Sequence, residues 1–116
     1  MKRDMDLIRS ILQKVESCED SYGINSPVIE GYSEAQIASH LKMLLDGGLI
    51  ETKDVSGGFQ QEDLYVGINL RWDGQDFLSA SRDNFLWKKA KETLVDSGVG
   101  FTVQSLLAWL RAQVLM

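Results

Sequence analysis

Cysteine, proline and histidine each occur only once in this 116-residue chain. A lone Cys18 cannot form an intrachain disulfide or a cysteine-based zinc cluster. Pro27 lies in a connector, so proline interrupts no predicted helix. His40 alone cannot make a metal site, and no HExxH or CxxC spacing is present. We therefore expect no metal and no cofactor.

Long apolar runs and catalytic motifs are also missing. No run approaches the ~18 apolar residues of a membrane span, and the start MKRDMDLIR mixes charges with apolar residues, unlike a signal peptide. No GxxxxGK[ST] or GxGxxG phosphate loop occurs, and no nucleophile, base and orienting group can be tied together. These absences favour a cytoplasmic protein that is not an enzyme and does not contact membranes.

The residues that are present predict one domain over residues 1–116, with an apolar share of 44% and a charged share of 25%. Apolar side chains at helical spacing predict about five helices, the first from Asp4 to about Ser17. Asp83 and Thr102 can cap the last two helices, which form a C-terminal extension over about 83–116. The expected fold class is α+β and mostly helical.

The stretch from Tyr32 to Leu78 predicts a helix followed by a β-hairpin. Ser33 and Gln36 form a capping box before the helix at 34–46, and Gly47 is placed to end it in the left-handed conformation. A strand at 49–53 and a strand with Val66 and Ile68 facing inward complete the hairpin. This order is typical of a winged helix-turn-helix with a two- or three-stranded wing. Residues 27–31 either form a strand or replace a lost helix.

Three segments resemble a family of small phage- and prophage-associated bacterial proteins of unknown function with a winged-helix-like fold. They are MKRDMDLIRSIL, YSEAQIASHLKMLLDGGLIE and LRWDGQDFLSASRD, and together they extend over nearly the whole chain. Arg71 stands where the family usually has Thr, which weakens a helix cap. Gln75 stands where it often has His, so no histidine-dependent role is assigned there. The resemblance implies a fold, but no activity or site residues.

The exposed side of the 34–46 helix is the candidate surface for nucleic acid. Helical geometry places there Gln36, Ser39, Lys42 and Met43, with His40 at the margin. In a major groove, Gln36 could read adenine, and Ser39 or His40 could meet a base edge or a phosphate. A solvated helix face and a half-buried, hydrogen-bonded histidine are the competing interpretations. Lys42 against Glu34 and Asp46 gives this helix a net charge of −1.

Charge also argues against a wing that follows a DNA backbone. Residues 46–63 hold five acidic side chains and one basic, a local charge of −4, whereas phosphate-contacting wings normally carry Arg or Lys. Positive charge gathers instead at a candidate basic patch of Arg82, Lys88, Lys89 and Lys91. This patch is suited to phosphate or to an acidic protein, although the solvated face of an amphipathic helix explains it more simply.

The last helix is a candidate interface because it carries little charge. Its core stripe is Val103, Leu106, Leu107, Leu110 and Val114, and the opposite side holds Ser105, Ala108, Trp109, Ala112 and Met116. Small residues around a tryptophan suit packing across a two-fold axis. The alternative, in which this helix is central to the monomer, weighs equally.

The sequence therefore supports two functional hypotheses about equally. A DNA-binding regulator is favoured by the order of helix, strand and wing, and disfavoured by the net charge of −5. A protein-interaction module, homodimeric or bound to another protein, is favoured by the acidic wing and the charge-poor last helix.

Overall fold

The computed structural model of the protein describes residues 3–56, 64–94 and 102–114. Within these ranges the chain is mostly helical with short antiparallel strands, which confirms the α+β class. The elements in chain order are α1 (Met5–Glu16), α2 (Glu34–Asp46), β1 (Ile50–Glu51), β2 (Asp54–Ser56), β3 (Leu64–Val66), β4 (Asn69–Leu70), α3 (Trp72–Ser81), α4 (Asn84–Leu94) and α5 (Val103–Val114).

Side-chain caps begin four of the helices, as the sequence predicts. The capping residues are Asp4 for α1, Ser33 for α2, Asp83 for α4 and Thr102 for α5. At α2 the box is complete: Ser33 Oγ accepts from the Gln36 N–H at 3.1 Å, and Gln36 Oε1 accepts from the Ser33 N–H at 2.9 Å. Arg71, which precedes α3, makes no side-chain cap.

The predicted hairpin is present as two short ladders. β1 pairs with β4 and β2 pairs with β3, both antiparallel. Ile24 bridges to Ile68 and so adds a short third partner on the other side of the hairpin. Residues 27–31 form neither a strand nor a helix, so a connecting loop occupies the region between the bridge and α2.

The prediction of which side chains of the second strand face the core is wrong for the first half of that strand. Tyr65 is buried and Val66 is only half-buried, the reverse of the expected faces. The cause is Gly67, whose φ of +63° interrupts the pleat between β3 and β4. A residue with positive φ shifts the period-two pattern, so Ile68 still reaches the core.

The left-handed conformation at the end of α2 also lies one residue later than expected. Gly47 keeps a right-handed φ of −79°, and Gly48 takes the left-handed conformation with φ of +79°. The Gly47 N–H still donates to Met43 O at 2.9 Å, which extends the helical hydrogen bonding by one residue.

The core is centred on α1, which buries six of its twelve side chains, about two on each turn. Leu7, Ile8, Ile11 and Leu12 have no exposed surface. α1 contacts α2, α3 and β4, while α5 packs on α3 and α4. The predicted stripe of α5 is buried at Val103, Leu106, Leu107 and Leu110, so this helix belongs to the core of the monomer. The Val114 side chain lies outside the described part.

Gly74 provides a test of how closely α3 packs on the hairpin. A Cβ at this buried position would lie 2.2 Å from the Leu49 carbonyl oxygen, which already accepts from the Arg71 N–H at 2.9 Å. We expect Gly74→Ala to lower the free energy of unfolding by about 1–3 kcal/mol, because overpacking against backbone exceeds the gain in helix propensity. Urea denaturation followed by circular dichroism measures the change.

Ser79→Ala on the exposed side of the same helix is the matched control. It should leave the free energy of unfolding unchanged or slightly higher, since alanine favours helix and meets no obstruction. A Gly74→Ala protein as stable as this control would contradict the close approach of α3 to Leu49.

Candidate binding surfaces

Asp4 joins three parts of the chain at the start of α1. Its backbone N–H donates to His40 Nε2 at 2.9 Å, and its carboxylate accepts from the Leu7 N–H at 3.1 Å and the Tyr32 hydroxyl at 3.0 Å. His40 Nδ1 lies 2.7 Å from Gln36 O and must carry the ring proton, because a carbonyl only accepts. Burial raises the pKa of Tyr32, and its hydrogen bond to Asp4 adds to the effect.

This arrangement removes His40 from the candidate nucleic-acid face. The sequence places His40 at the margin of that face, but the side chain is only 1% exposed and both ring nitrogens are engaged within the fold. A histidine that satisfies two backbone groups inside the domain has no nitrogen left for a base or a phosphate. The interpretation as a hydrogen-bonded histidine therefore fits the geometry.

The other candidate residues on α2 remain partly or wholly accessible. Lys42 is exposed, while Gln36, Ser39 and Met43 are half-buried. The Gln36 side-chain oxygen is held in the capping box and is not available to read adenine unless the box opens. Glu34 and Asp46 are exposed at the two ends of the helix, so Lys42 stands between negative charges.

Of the acidic segment 46–63, the structure describes residues 46–56. Glu51 and Lys53 are both exposed. Glu62 and Asp63, two of the five acidic side chains in this segment, lie outside the described residues.

The candidate basic patch divides into paired and unpaired residues. Arg82 donates to Glu16 at 2.6 Å, and the Lys91 ammonium lies 2.9 Å from Asp6. Lys88 and Lys89 are exposed, and neither takes part in an ion pair within the described ranges. The patch thus leaves two cations available on one side of α4.

A cleft of about 830 Å³ separates α4 from the N-terminal half of α1. The two helices run in opposite directions, because Asp6 meets Lys91 whereas Arg9, further along α1, meets Asn84 at 3.1 Å. Trp87 lies at the base of the cleft. The Arg9 guanidinium lies 5.3 Å from its ring centre, and its indole N–H donates to Asp6 at 2.9 Å.

Asp6 is the titratable group that these contacts perturb. Burial alone would raise its pKa, but hydrogen bonds from Trp87 and Lys91, with the charges of Lys91 and Arg9, outweigh burial. The pKa of Asp6 is therefore lowered in the folded protein, and its carboxylate favours folding at neutral pH.

The candidate interface on α5 is only partly accessible. Ser105, Ala108 and Ala112 are exposed, whereas Trp109 is half-buried and packs against the core. Ser105 is also engaged, since its hydroxyl and the Thr102 N–H meet at 2.8 Å in the cap. Met116 lies outside the described residues. Arg111 is paired with Asp73 and Asp76 of α3.

Two exposed aromatic residues were not identified as surface sites from the sequence. Trp72 is 83% exposed at the start of α3, whereas Phe77 and Leu78 of the same helix are buried. Phe85 is 73% exposed on α4. The exposure of Phe85 can be predicted from the sequence, because helical geometry places Phe85 away from the stripe that contains Trp87 and Ala90.

The described part of the chain contains no group of three His, Cys, Asp or Glu side chains that could hold a metal ion. Within the same residues, every helix is too short or too polar to cross a membrane.

The fold and these surfaces define a small α+β protein with a helix, a hairpin and added C-terminal helices. Comparison with protein families shows that the chain belongs to the DUF2513 family, described as a hypothetical protein, whose model matches residues 2–100. The chain is 32% identical over 107 residues to an uncharacterised protein of Haemophilus influenzae strain Rd, with 91% of this chain and 89% of that protein aligned. No solved structure matches the chain.

The charge on Asp6 should contribute to stability above its unfolded pKa, near 3.8, and the contribution should disappear as pH falls through the lower folded pKa. We expect Asp6→Asn to reduce the free energy of unfolding at pH 7, and the difference from wild type to shrink at about pH 3 and below. Urea denaturation at both pH values measures it.

The asparagine oxygen can still accept from Trp87, so this substitution mainly removes charge. Glu92→Gln, on an exposed residue of the same cleft, serves as the control for a general loss of negative charge. A difference between wild type and Asp6→Asn that is the same at pH 7 and pH 3 would contradict the assignment.

Proposed function

We propose that this protein is a non-enzymatic binding module of phage or prophage type, built on a winged-helix-like scaffold, that acts by contacting another protein. The order of α1, α2 and hairpin supports the scaffold, and so does the bridge from Ile24 to Ile68, which stands where the first strand of a three-stranded wing would pair. The family is one without a named activity, which is compatible with this proposal.

The observation that carries the protein-partner proposal is the internal use of the α2 side chains. His40 is 1% exposed and bonded to Asp4, and Gln36 completes the cap of its own helix. A recognition helix needs several side chains free to reach base edges, chiefly near its N-terminus. Here that end is occupied by Glu34 and by the capping box.

The loop at residues 27–31 supports the same conclusion. In a helix-turn-helix, the helix before the recognition helix crosses the DNA backbone and fixes the docking angle. Within residues 17–33 the structure contains no helix. A winged-helix-like scaffold without that support retains its hairpin and α2 as a surface, but lacks the element that normally seats α2 in a groove.

DNA binding through α2 is the second candidate, favoured by the order of elements and by the exposed Lys42. Fluorescence anisotropy with labelled mixed-sequence duplexes at about 50 mM salt, where phosphate contacts are strong, separates the two candidates. We expect no saturable binding, because α2 is acidic at both ends. Tight, salt-sensitive binding that Lys42→Ala weakens would overturn the protein-partner proposal in favour of DNA.

A homodimer joined by α5 is one form of the protein-interaction proposal. Ala108→Glu adds a charge and bulk at an exposed position, so the fold should persist while a two-fold contact at this helix should be lost. We expect multi-angle light scattering to show a dimer for wild type and a monomer for this variant. Lys14→Glu, exposed on α1, is the control that should leave the mass unchanged.

A wild-type protein that is monomeric at every concentration would exclude the α5 dimer. The binding surface would then have to face a different protein.

A further inference from the structure

The outer ridge of α4 combines an exposed aromatic ring with available positive charge. Phe85 is 73% exposed, and Lys88 and Lys89, three and four residues later, are exposed on the same side of the helix. We call this set, Phe85 with Lys88 and Lys89, the α4 ridge. An aromatic side chain left in water forgoes the favourable burial that it would gain under a partner.

Of the four cations in the basic patch, two form ion pairs and the two lysines of the α4 ridge do not. Arg82 is bound by Glu16 before the helix begins, and Lys91 is bound by Asp6 on the cleft side. Among the described residues, Lys88 and Lys89 enter no ion pair. Glu92, exposed one turn further on, limits the positive surface to the first two turns of α4.

The α4 ridge continues into the cleft between α1 and α4. Lys88 lines this cleft together with Arg3 and Arg9, and the cleft volume of about 830 Å³ is large enough for several side chains. A ligand that covers Phe85 can therefore extend past Lys88 into a groove of mixed charge, whose lining also includes Lys91 and the carboxylates of Asp4, Asp6 and Glu92. Trp87 and its contacts to Arg9 and Asp6 hold the base of that groove in place.

We propose that the α4 ridge and the adjoining cleft bind an acidic, amphipathic segment of another protein. The apolar side chain of the segment covers Phe85, and its carboxylates meet Lys88 and Lys89. This inference rests on the proposed function as a protein-binding module, and it names the surface and the chemistry of the partner.

Magnitudes favour an acidic peptide over nucleic acid at this surface. Two lysine–phosphate contacts give a salt dependence of about −1.8 in log–log slope, whereas DNA-binding proteins commonly make about 6–10 such contacts. The whole chain carries −5, which opposes the long-range attraction that a polyanion would need. A peptide gains most of its affinity from an apolar anchor instead, and Phe85 provides the site for one.

Selection from a random 12-residue peptide display library on the folded full chain tests the proposal. Peptides that bind a triple variant, Phe85→Ala with Lys88→Glu and Lys89→Glu, are first removed from the library. The peptides that are then selected on wild type depend on the α4 ridge. We expect enrichment of Asp and Glu close to Leu, Ile or Phe. An enriched peptide should bind wild type at least about tenfold more tightly than either Phe85→Ala or the double lysine variant.

Lys14→Glu with Lys42→Glu is the matched control, since it changes net charge equally at exposed positions on α1 and α2. Binding of the enriched peptide should stay within about twofold of wild type, because local rather than net charge acts. All variants alter exposed side chains, and circular dichroism verifies that each is folded.

Three outcomes would overturn the inference. One is a selection that enriches no peptide or enriches basic ones, and another is a peptide that binds the ridge variants as well as wild type. The third is labelled duplex or single-stranded DNA whose binding is lost in the double lysine variant. A failure of the peptide test with no DNA binding leaves the broader protein-partner proposal standing, whereas DNA binding that depends on Lys42 removes that proposal itself.

Discussion

The orientation of α2 depends on the hydrogen bonds around Asp4. This residue caps α1 with its carboxylate, receives the Tyr32 hydroxyl on the same group and donates its backbone N–H to His40. Each of these bonds joins a different segment, so the start of α1, the loop before α2 and α2 itself are fixed relative to one another. Buried polar groups that are fully satisfied hold one arrangement, since any other leaves a costly unpaired group. The bonds thus fix the position of α2 relative to α1 although no helix lies between the two.

That constraint has a consequence for the surface of α2. The histidine that joins α2 to α1 has both ring nitrogens occupied, and Gln36 is committed at once through its carbonyl to His40 and through its side chain to Ser33. The residues with the best hydrogen-bonding chemistry for reading bases are therefore the ones that hold the domain together. The exposed charged residues of the helix are Lys42 and, at its two ends, Glu34 and Asp46, and acidic ends do not favour contact with phosphates.

Local signals in the sequence were sufficient for the helices and insufficient for the sites. Caps such as Ser33 and Asp83 and the buried stripe of α5 depend on neighbours three or four residues away, so their spacing alone predicts them. The left-handed conformation at Gly67, which reverses the faces of Tyr65 and Val66, depends on a hairpin partner and on Asn25, whose side chain accepts from the Gly67 N–H at 2.8 Å. The burial of His40 likewise depends on Asp4, 36 residues away, which no periodic pattern encodes.

The charged residues of a segment indicate a binding partner only once their positions in the fold and their ion pairs are known. The sequence shows a basic group on α4, but the fold assigns Arg82 to Glu16 and Lys91 to Asp6, and only the structure reveals which lysines remain. The two unpaired lysines flank Phe85, whose exposed apolar ring makes no favourable contact with a phosphate backbone. The antiparallel approach of α1 and α4 pairs Lys91 with Asp6 and also forms the cleft that Lys88 lines. This packing arrangement therefore reduces the unpaired positive charge on this face and leaves an open cleft next to it, which are the two features on which the proposed binding of an acidic segment rests.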